Sequence, residues 1–155
     1  MVNYTFLETL KFFSVHLDTE IPKGELEKEG IEIEIDKQNV VMLAGKIPGS
    51  ISLEVTLGLF LRPISTIRLK EIMTNNFLGI GTGGCTLTLD DDGVALGLKI
   101  VTTPTMTPQE SWECLHRLLG AAREWLKLLS DWDEFIPLNS PPEEKTHEEK
   151  IGEKV

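Results

Sequence analysis

The stretch TIRLKEIMTNNFLGIGTGGCTLTLDDDGVALGLKIV, residues 66–101, decides the fold together with TPQESWECLHRLLGAAREWLKLL, residues 107–129. The first part has the apolar spacing of a helix and then a glycine-rich turn. Two short alternating segments follow, which predict a pair of strands, and then a long apolar helix. Helix, hairpin and helix follow one another without a catalytic set of residues, which favours a binding module over an enzyme.

Local signals predict where these elements begin and end. Ser65 is a suitable N-cap for the first of the two helices, and Gly79 a suitable C-cap. Asp92-Gly93 predicts a two-residue hairpin turn. The segment Thr107-Pro108-Gln109-Glu110 is a strong start for the last helix, with threonine as N-cap and proline at the first helical position. The apolar positions of that helix form one face: Leu115, Leu118, Leu119, Ala122, Leu126 and Leu129.

The residues before this stretch complete an α+β domain. Residues 3–17 have helical spacing, and residues 19–30 have the proline, glycine and charge of a loop. Three alternating strands follow, near residues 31–35, 40–47 and 51–61, and they predict an antiparallel meander. The predicted order is α-β-β-β-α-β-β-α, with a twisted antiparallel sheet. We expect one domain over residues 1–136 and a disordered acidic tail over residues 137–155.

Charge and composition exclude several classes of protein. The chain has 155 residues, enough for one domain with a core, and its net charge of −10 would repel nucleic acid. No apolar run is long enough to span a bilayer, and the segment MVNYTFLETLKFF lacks the features of a signal peptide. Cys85 and Cys114 are expected to be small buried residues in a reducing cytoplasm.

No chemical motif has the structural setting that it needs. GIGTGG at residues 79–84 matches a dinucleotide fingerprint, but a helix precedes it and a strand follows, the reverse of the required order. The run at residues 90–93 places the wrong residue types at both ends of a calcium loop. The three histidines, His16, His116 and His147, have no metal-binding spacing. We therefore predict no metal, no cofactor and no enzymatic activity.

Apolar residues outside the main helical stripes suggest surfaces that another chain covers. Phe12 and Ile67 lie off the stripes of their helices, and tryptophans fall on more than one face of the last helix. In a small domain such a surplus indicates contact with a partner. A homodimer that also carries a groove for a second protein would account for it.

The chain resembles the class I type III secretion chaperones, the Tir chaperone (CesT-like) family. The similarity lies in the order of elements, the acidic character, the pattern EIMTNNFLGIGTGGCTLTLDDDGVALGLKIV over residues 71–101 and the helix start at Thr107. It covers residues 3–130. The resemblance implies a cytoplasmic bacterial dimer that binds the N-terminal region of a secreted effector in extended form, without ATP, and keeps it competent for secretion.

The resemblance also implies two sets of contact residues. The dimer interface, with itself or with a related chaperone subunit, would use the middle helix and the neighbouring strand: Leu69, Ile72, Met73, Phe77, Leu87 and Leu89. The effector would bind to the first helix and the first sheet: Phe6, Leu10, Phe12, Ile33, Ile35, Val41, Leu43, Leu53 and Val55. Some of the second set must belong to the core, and the sequence does not separate them.

Two other hypotheses remain open. The chain could be a small α+β adaptor or regulator that sequesters a protein that is not secreted. It could also be an enzyme whose mechanism the sequence does not reveal, which would require a deep polar pocket with an acid or base of shifted pKa.

Overall fold

The computed structural model describes residues 6–17 and 30–138, and the predicted order of the main elements is confirmed. Within these ranges the α-helices are α1 (Phe6–Leu17), α2 (Thr66–Asn76) and α3 (Pro108–Leu129). The first five strands are β1 (Gly30–Ile35), β2 (Gln38–Ala44), β3 (Ile51–Phe60), β4 (Thr86–Leu89) and β5 (Ala95–Val101). A 3₁₀ helix, Phe77–Thr82, and a short strand β6, Phe135–Pro137, complete the order. The predicted loop lies largely outside the described residues, as do residues 139–155 of the predicted tail.

One antiparallel sheet organises the chain, with strand order β1-β2-β3-β5-β4. The ten residues of β3 lie at its centre, where its first half pairs with β2 and its last residues pair with β6. β6 was not predicted, because three residues that end in proline give too short a pattern. It contains the predicted domain boundary at residues 136 and 137, and Leu138 extends the pairing by donating its backbone N–H to the carbonyl of Leu57, at 3.2 Å.

The core lies between one face of the sheet and the helices α1 and α3. Alternate residues of each strand are buried there, and the predicted apolar face of α3 is buried against them. Trp125 and Trp132 also belong to this core, each 4% exposed. The prediction that the tryptophans add to a surplus of surface apolar groups was therefore wrong for these two. Trp112 is partly buried beside α1.

Two predicted helix starts are confirmed in atomic detail. Ser65 Oγ accepts the backbone N–H of Arg68 at 3.2 Å, and Thr107 Oγ1 accepts that of Glu110 at 3.2 Å. The predicted C-cap was wrong, since α2 ends at Asn76 and the chain continues as the 3₁₀ helix. Gly79 lies within that helix at φ 70°, a conformation that suits glycine.

The hairpin between β4 and β5 is longer than predicted. The backbone N–H of Asp90 bonds to the carbonyl of Ala95, which leaves four residues in the loop instead of two. The Asp90 carboxylate accepts the N–H groups of Val94 and Ala95, at 2.7 and 3.0 Å. These bonds, that of Ala95 first, lower the pKa of Asp90. Gly93 donates its backbone N–H to the Asp90 carbonyl at 2.9 Å and has φ 69°, so glycine was correctly expected there but in another turn.

Candidate protein-docking surface

The outer face of α2 and the following 3₁₀ helix exposes a row of large apolar side chains. Met73 is 64% exposed, Phe77 65% and Ile80 77%, and Leu69 lies at the margin with 37%. Burying an apolar side chain of this size stabilises by about 1.5–3 kcal/mol, so leaving a row of them in water is costly. We call Leu69, Met73, Phe77 and Ile80 the α2 patch. Ile67, at 71%, is exposed on the same helix.

An adjacent face of α2, about 100° around the helix from the α2 patch, holds the helix against the rest of the chain. Arg68, Ile72 and Asn76 follow one another at intervals of four residues, so they lie on one side of the helix. The Arg68 guanidinium lies 4.2 Å from the ring centroid of Trp132, and its Nε donates to Glu134 Oε1 at 3.1 Å. Ile72 is buried, the only residue of α2 that is.

The six residues predicted for a dimer interface therefore divide into two layers. Leu69, Met73 and Phe77 belong to the exposed α2 patch, whereas Ile72 and Leu87 are buried within the chain and Leu89 is half-buried. The buried residues support the helix from below. Ile80 was missed by sequence reasoning, because a 3₁₀ helix continues the outer face of α2 beyond the glycine that was taken as its end.

A groove lies beside the α2 patch, between the 3₁₀ helix and α3. Its larger part encloses about 310 Å³ and its smaller part about 150 Å³, and the two share Gly81, Glu124 and Trp125. Small residues form much of the wall of the larger part: Gly81, Gly83, Gly120 and Ala121. The indole N–H of Trp125 donates to the Gly81 carbonyl at 3.1 Å and holds the two walls together. The groove has the shape to receive a protruding apolar side chain.

The nine residues predicted for effector binding also divide by burial. Five of them belong to the core: Leu10, Ile33, Ile35, Leu53 and Val55. Phe6 and Phe12 are half-buried on α1, and Phe12 stacks on His16 with ring centroids 4.0 Å apart. Val41 is half-buried and Leu43 exposed, both on the face of the sheet that the helices do not cover.

That outer face of the sheet is acidic toward β1 and nearly neutral toward β5. The strand register aligns Glu32, Val41, Glu54 and Lys99 in one row across four strands. Lys99 Nζ lies 3.4 Å from Glu54 Oε1 and compensates its charge, whereas Glu32 and Glu34 have no ion pair within the described residues. The exposed residues of β1 therefore present negative charge beside apolar groups of β2.

A second apolar surface lies where β3 pairs with β6, and sequence reasoning missed it. Leu59 and Ile136 are paired in the ladder and are 39% and 48% exposed; Leu61 and Leu138 are exposed close by. The alternation in LGLFL contained the signal, because buried Phe60 separates two exposed leucines. The second apolar surface could not be recognised from the sequence because β6, which pairs with β3 there, was not predicted.

Metal-binding clusters and reactive thiols are two features that chemistry could use. The described residues contain no group of three or more histidine, cysteine or acidic side chains that could hold a metal ion. Burial raises the pKa of the Cys85 thiol to about 11, which works against a nucleophilic thiolate. Among these residues no helix is both long and apolar enough to cross a membrane. The notable surfaces are apolar and suit protein contacts.

Several solved structures with the same fold are complexes of two proteins, and two of them contain a chaperone bound to another protein. The ExsC–ExsE complex superposes with a TM-score of 0.63 at 15% identity, over 79% of this chain and 92% of that one. The HopA1–SchA chaperone–effector complex gives 0.58 at 15%, over 78% and 95%. The Yersinia pestis type III secretion chaperone SycH, bound to a stable fragment of YscM2, gives 0.58 at 20%, over 77% and 98%. The fold of this chain is therefore the fold of type III secretion chaperones.

The same architecture also occurs outside those complexes. YbjN of E. coli, a putative transcription regulator, has a TM-score of 0.55 at 13% identity, over 84% of this chain and 96% of that one. No family model matches the sequence, and no curated protein matches it. The comparisons thus establish the fold, whereas a proposal about function depends on the exposed surfaces of this chain.

Proposed function

We propose that this protein is a type III secretion chaperone of the bacterial cytoplasm. It forms a dimer and binds the N-terminal segment of a secreted effector in extended form, without ATP, and keeps that effector soluble and competent for secretion. It is not an enzyme and needs no cofactor. The observation that carries the proposal is an unpartnered apolar α2 patch, on a fold shared with proteins seen in chaperone–effector complexes.

The dimer interface is formed by the α2 patch of each subunit. A two-fold dimer requires a self-complementary surface, and this region offers both protruding side chains, Phe77 and Ile80, and the adjacent groove. Because these four side chains are only 37–77% exposed in the subunit, burying the rest of them contributes roughly 4–7 kcal/mol per subunit before the cost of association. Leu89 lies at the rim, and Ile72 and Leu87 support the interface from within. The same surface would accommodate a related chaperone subunit.

The effector binds along α1 and the first three strands. Phe6 and Phe12 offer half-buried aromatic contacts, and Val41 and Leu43 offer apolar contacts on the outer face of the sheet. Leu10, Ile33, Ile35, Leu53 and Val55 form the layer beneath them. An extended segment satisfies its backbone hydrogen bonds by adding a strand to a sheet edge, while alternate side chains enter apolar sites. The acidic surface keeps the loaded complex soluble.

Capture of a defined partner tests this proposal. The tagged protein is purified from a lysate of the bacterium that encodes it, and the co-eluting protein is identified by mass spectrometry. We expect a dimer of 17.3 kDa subunits carrying one stoichiometric partner, which is lost when the N-terminal segment of that partner is deleted. Leu43→Asp should weaken capture, and Thr86→Asp, on the same outer face but on β4 at the opposite edge of the sheet, should not. A monomer without a protein partner would contradict the proposal.

A second candidate is an adaptor that sequesters a protein that is not secreted, and the likeness to YbjN favours it. It predicts the same dimer and a similar binding surface. The fate of the identified partner separates the two functions. If the partner is exported in wild-type cells and accumulates or is degraded when the chaperone gene is deleted, the secretion function holds. If the partner stays in the cell in both strains, the adaptor function replaces it.

A further inference from the structure

The two edges of the sheet differ in how their backbone groups are satisfied. β4 forms one edge and, within the described residues, pairs with β5 alone. The N–H and C=O groups of every second residue make that pairing. The N–H and C=O groups of Cys85, Leu87 and Leu89 point away from β5, because such groups alternate along an antiparallel strand. An edge of this kind ordinarily invites pairing with another chain.

Side chains from the preceding segment occupy most of the β4 edge. Asn76 Nδ2 donates to the Leu87 carbonyl at 2.8 Å, and Asn76 Oδ1 accepts the Leu87 N–H at 2.6 Å. One carboxamide thus makes both bonds that a neighbouring strand would make. Two residues before Leu87 along the same edge, Cys85 is bonded in a similar way. The hydroxyl of Thr82 donates to the Cys85 carbonyl, and the Thr82 carbonyl accepts the Cys85 N–H at 3.2 Å. Of the outward residues of β4, only Leu89 lacks such a bond to a described residue.

The edge at β1 has no such cover within the described residues. The tight turn at Asp36 and Lys37 fixes Ile35 opposite Gln38, so Ile31, Ile33 and Ile35 bond to β2. Glu32 and Glu34 therefore direct their backbone groups outward, and no hydrogen bond to them is formed by any part of the described chain. Their carboxylates lie on the outer face and form no ion pair with any residue that the structure describes.

We infer that Asn76 and Thr82 seal the β4 edge and thereby confine strand addition to β1, where the pairing segment alternates basic and apolar residues. The apolar side chains of such a segment lie beside Ile31, Ile33 and Ile35, and the basic ones beside Glu32 and Glu34. The inference rests on the proposed mode of effector binding. Asn76 is therefore a positioning residue that determines which edge a partner strand uses. It also joins α2 to β4 by hydrogen bonds.

Amide hydrogen exchange on the free full-length protein, read residue by residue by NMR, tests the seal. We expect the Leu87 amide to exchange at least about tenfold more slowly than the amides of Glu32 and Glu34, because its hydrogen bond must open first. Asn76→Ala should remove that protection, and Asn76→Asp should largely keep it, since a carboxylate still accepts the N–H. Asn75→Ala is the matched control, because Asn75 bonds only to the Glu71 carbonyl of its own helix.

The choice of edge is tested with a synthetic heptapeptide of alternating lysine and valine, against a peptide of the same composition in block order. The alternating peptide should slow exchange of the Glu32 and Glu34 amides by about tenfold or more and leave Leu89 unchanged. In Asn76→Ala, the β4 amides should respond as well. A Leu87 amide that exchanges as fast as Glu32 in the wild type, or a peptide that protects β4 in the wild type, overturns the inference.

These measurements use no effector, so they separate the inference from the proposed function. If the edge is sealed and the peptide pairs with β1, but no secreted partner is captured, the secretion function fails and the edge assignment stands. If a secreted partner is captured and the Leu87 amide is unprotected, the secretion function stands and the edge assignment fails. Should Asn76→Ala fail to fold, the wild-type exchange rates and Asn76→Asp still decide the matter.

Discussion

At the scale of single residues, Gly58 lies where β3 passes closest to β6. A β-carbon added there would lie 2.2 Å from the Ile136 carbonyl oxygen and 2.5 Å from the ring of Phe135. Gly58→Ala should therefore lower the free energy of unfolding by about 1–3 kcal/mol, since neither backbone nor packed ring can withdraw cheaply. Urea denaturation measures it, with Gly120→Ala as control. Gly120 lies in α3, where an added β-carbon would meet only the end of the Arg123 side chain at 3.9 Å, so alanine there should stabilise by roughly 0.5–1 kcal/mol. Equal effects of the two substitutions would argue against the β3–β6 contact.

Cys85 is the second residue whose environment predicts a measurable effect. Burial raises the pKa of its thiol from 9.0 to about 11, although the nearby Arg117 opposes the change. Below pH 9 the thiol keeps its proton in the folded and the unfolded chain. Between pH 9 and about 11 only the unfolded chain releases it, so the free energy of unfolding should fall with rising pH in that window. The urea midpoint of Cys85→Ala should decline less steeply than that of the wild type. Parallel declines would show that Cys85 makes no contribution.

At the scale of elements, α2 is held by few contacts, and Arg68 provides several of them. It joins the helix to the segment between α3 and β6 through Trp132 and Glu134. Arg68→Met keeps the length of the side chain and removes its charge, and we expect it to destabilise by about 1–2 kcal/mol. Arg68→Lys should recover only part of this, because an ammonium cannot stack and bond as the planar guanidinium does. Urea denaturation followed by tryptophan fluorescence measures both. Full recovery by lysine would mean that charge alone fastens the helix.

The same element shows what the sequence could and could not predict. Ser65 and Thr107 were recognisable as caps because capping depends on residues within one turn. The inner face of α2 was not recognisable, because its Arg68 and Asn76 are polar and find their partners 64 and 11 residues away. A count of apolar positions therefore placed buried Ile72 in the same stripe as exposed Met73 and Phe77. The hairpin length was missed because the Asp90 side chain closes the loop.

At the scale of the whole molecule, a subunit with an exposed α2 patch should gain much of its stability from association. If folding and dimerisation are coupled, a tenfold rise in protein concentration should raise the apparent free energy of unfolding by about 1.4 kcal/mol, because dilution favours the unfolded monomer. Urea midpoints measured over two decades of concentration detect this. Light scattering at the same concentrations gives the mass in solution.

Two neighbouring substitutions on the outer side of α2 make that test specific. Met73→Asp places a charge in the proposed interface and should give a 17.3 kDa monomer whose urea midpoint no longer depends on concentration. Thr74→Asp adds the same charge at the next position, which is also exposed but lies outside the α2 patch, and should keep both the dimer and the dependence. Loss of the dimer in both variants would mean that the added negative charge dissociates the subunits wherever it is placed, so the test would not locate the interface at the α2 patch. A wild-type midpoint that does not change with concentration, together with a monomeric mass, would remove α2 from the interface and leave its apolar side chains for the effector.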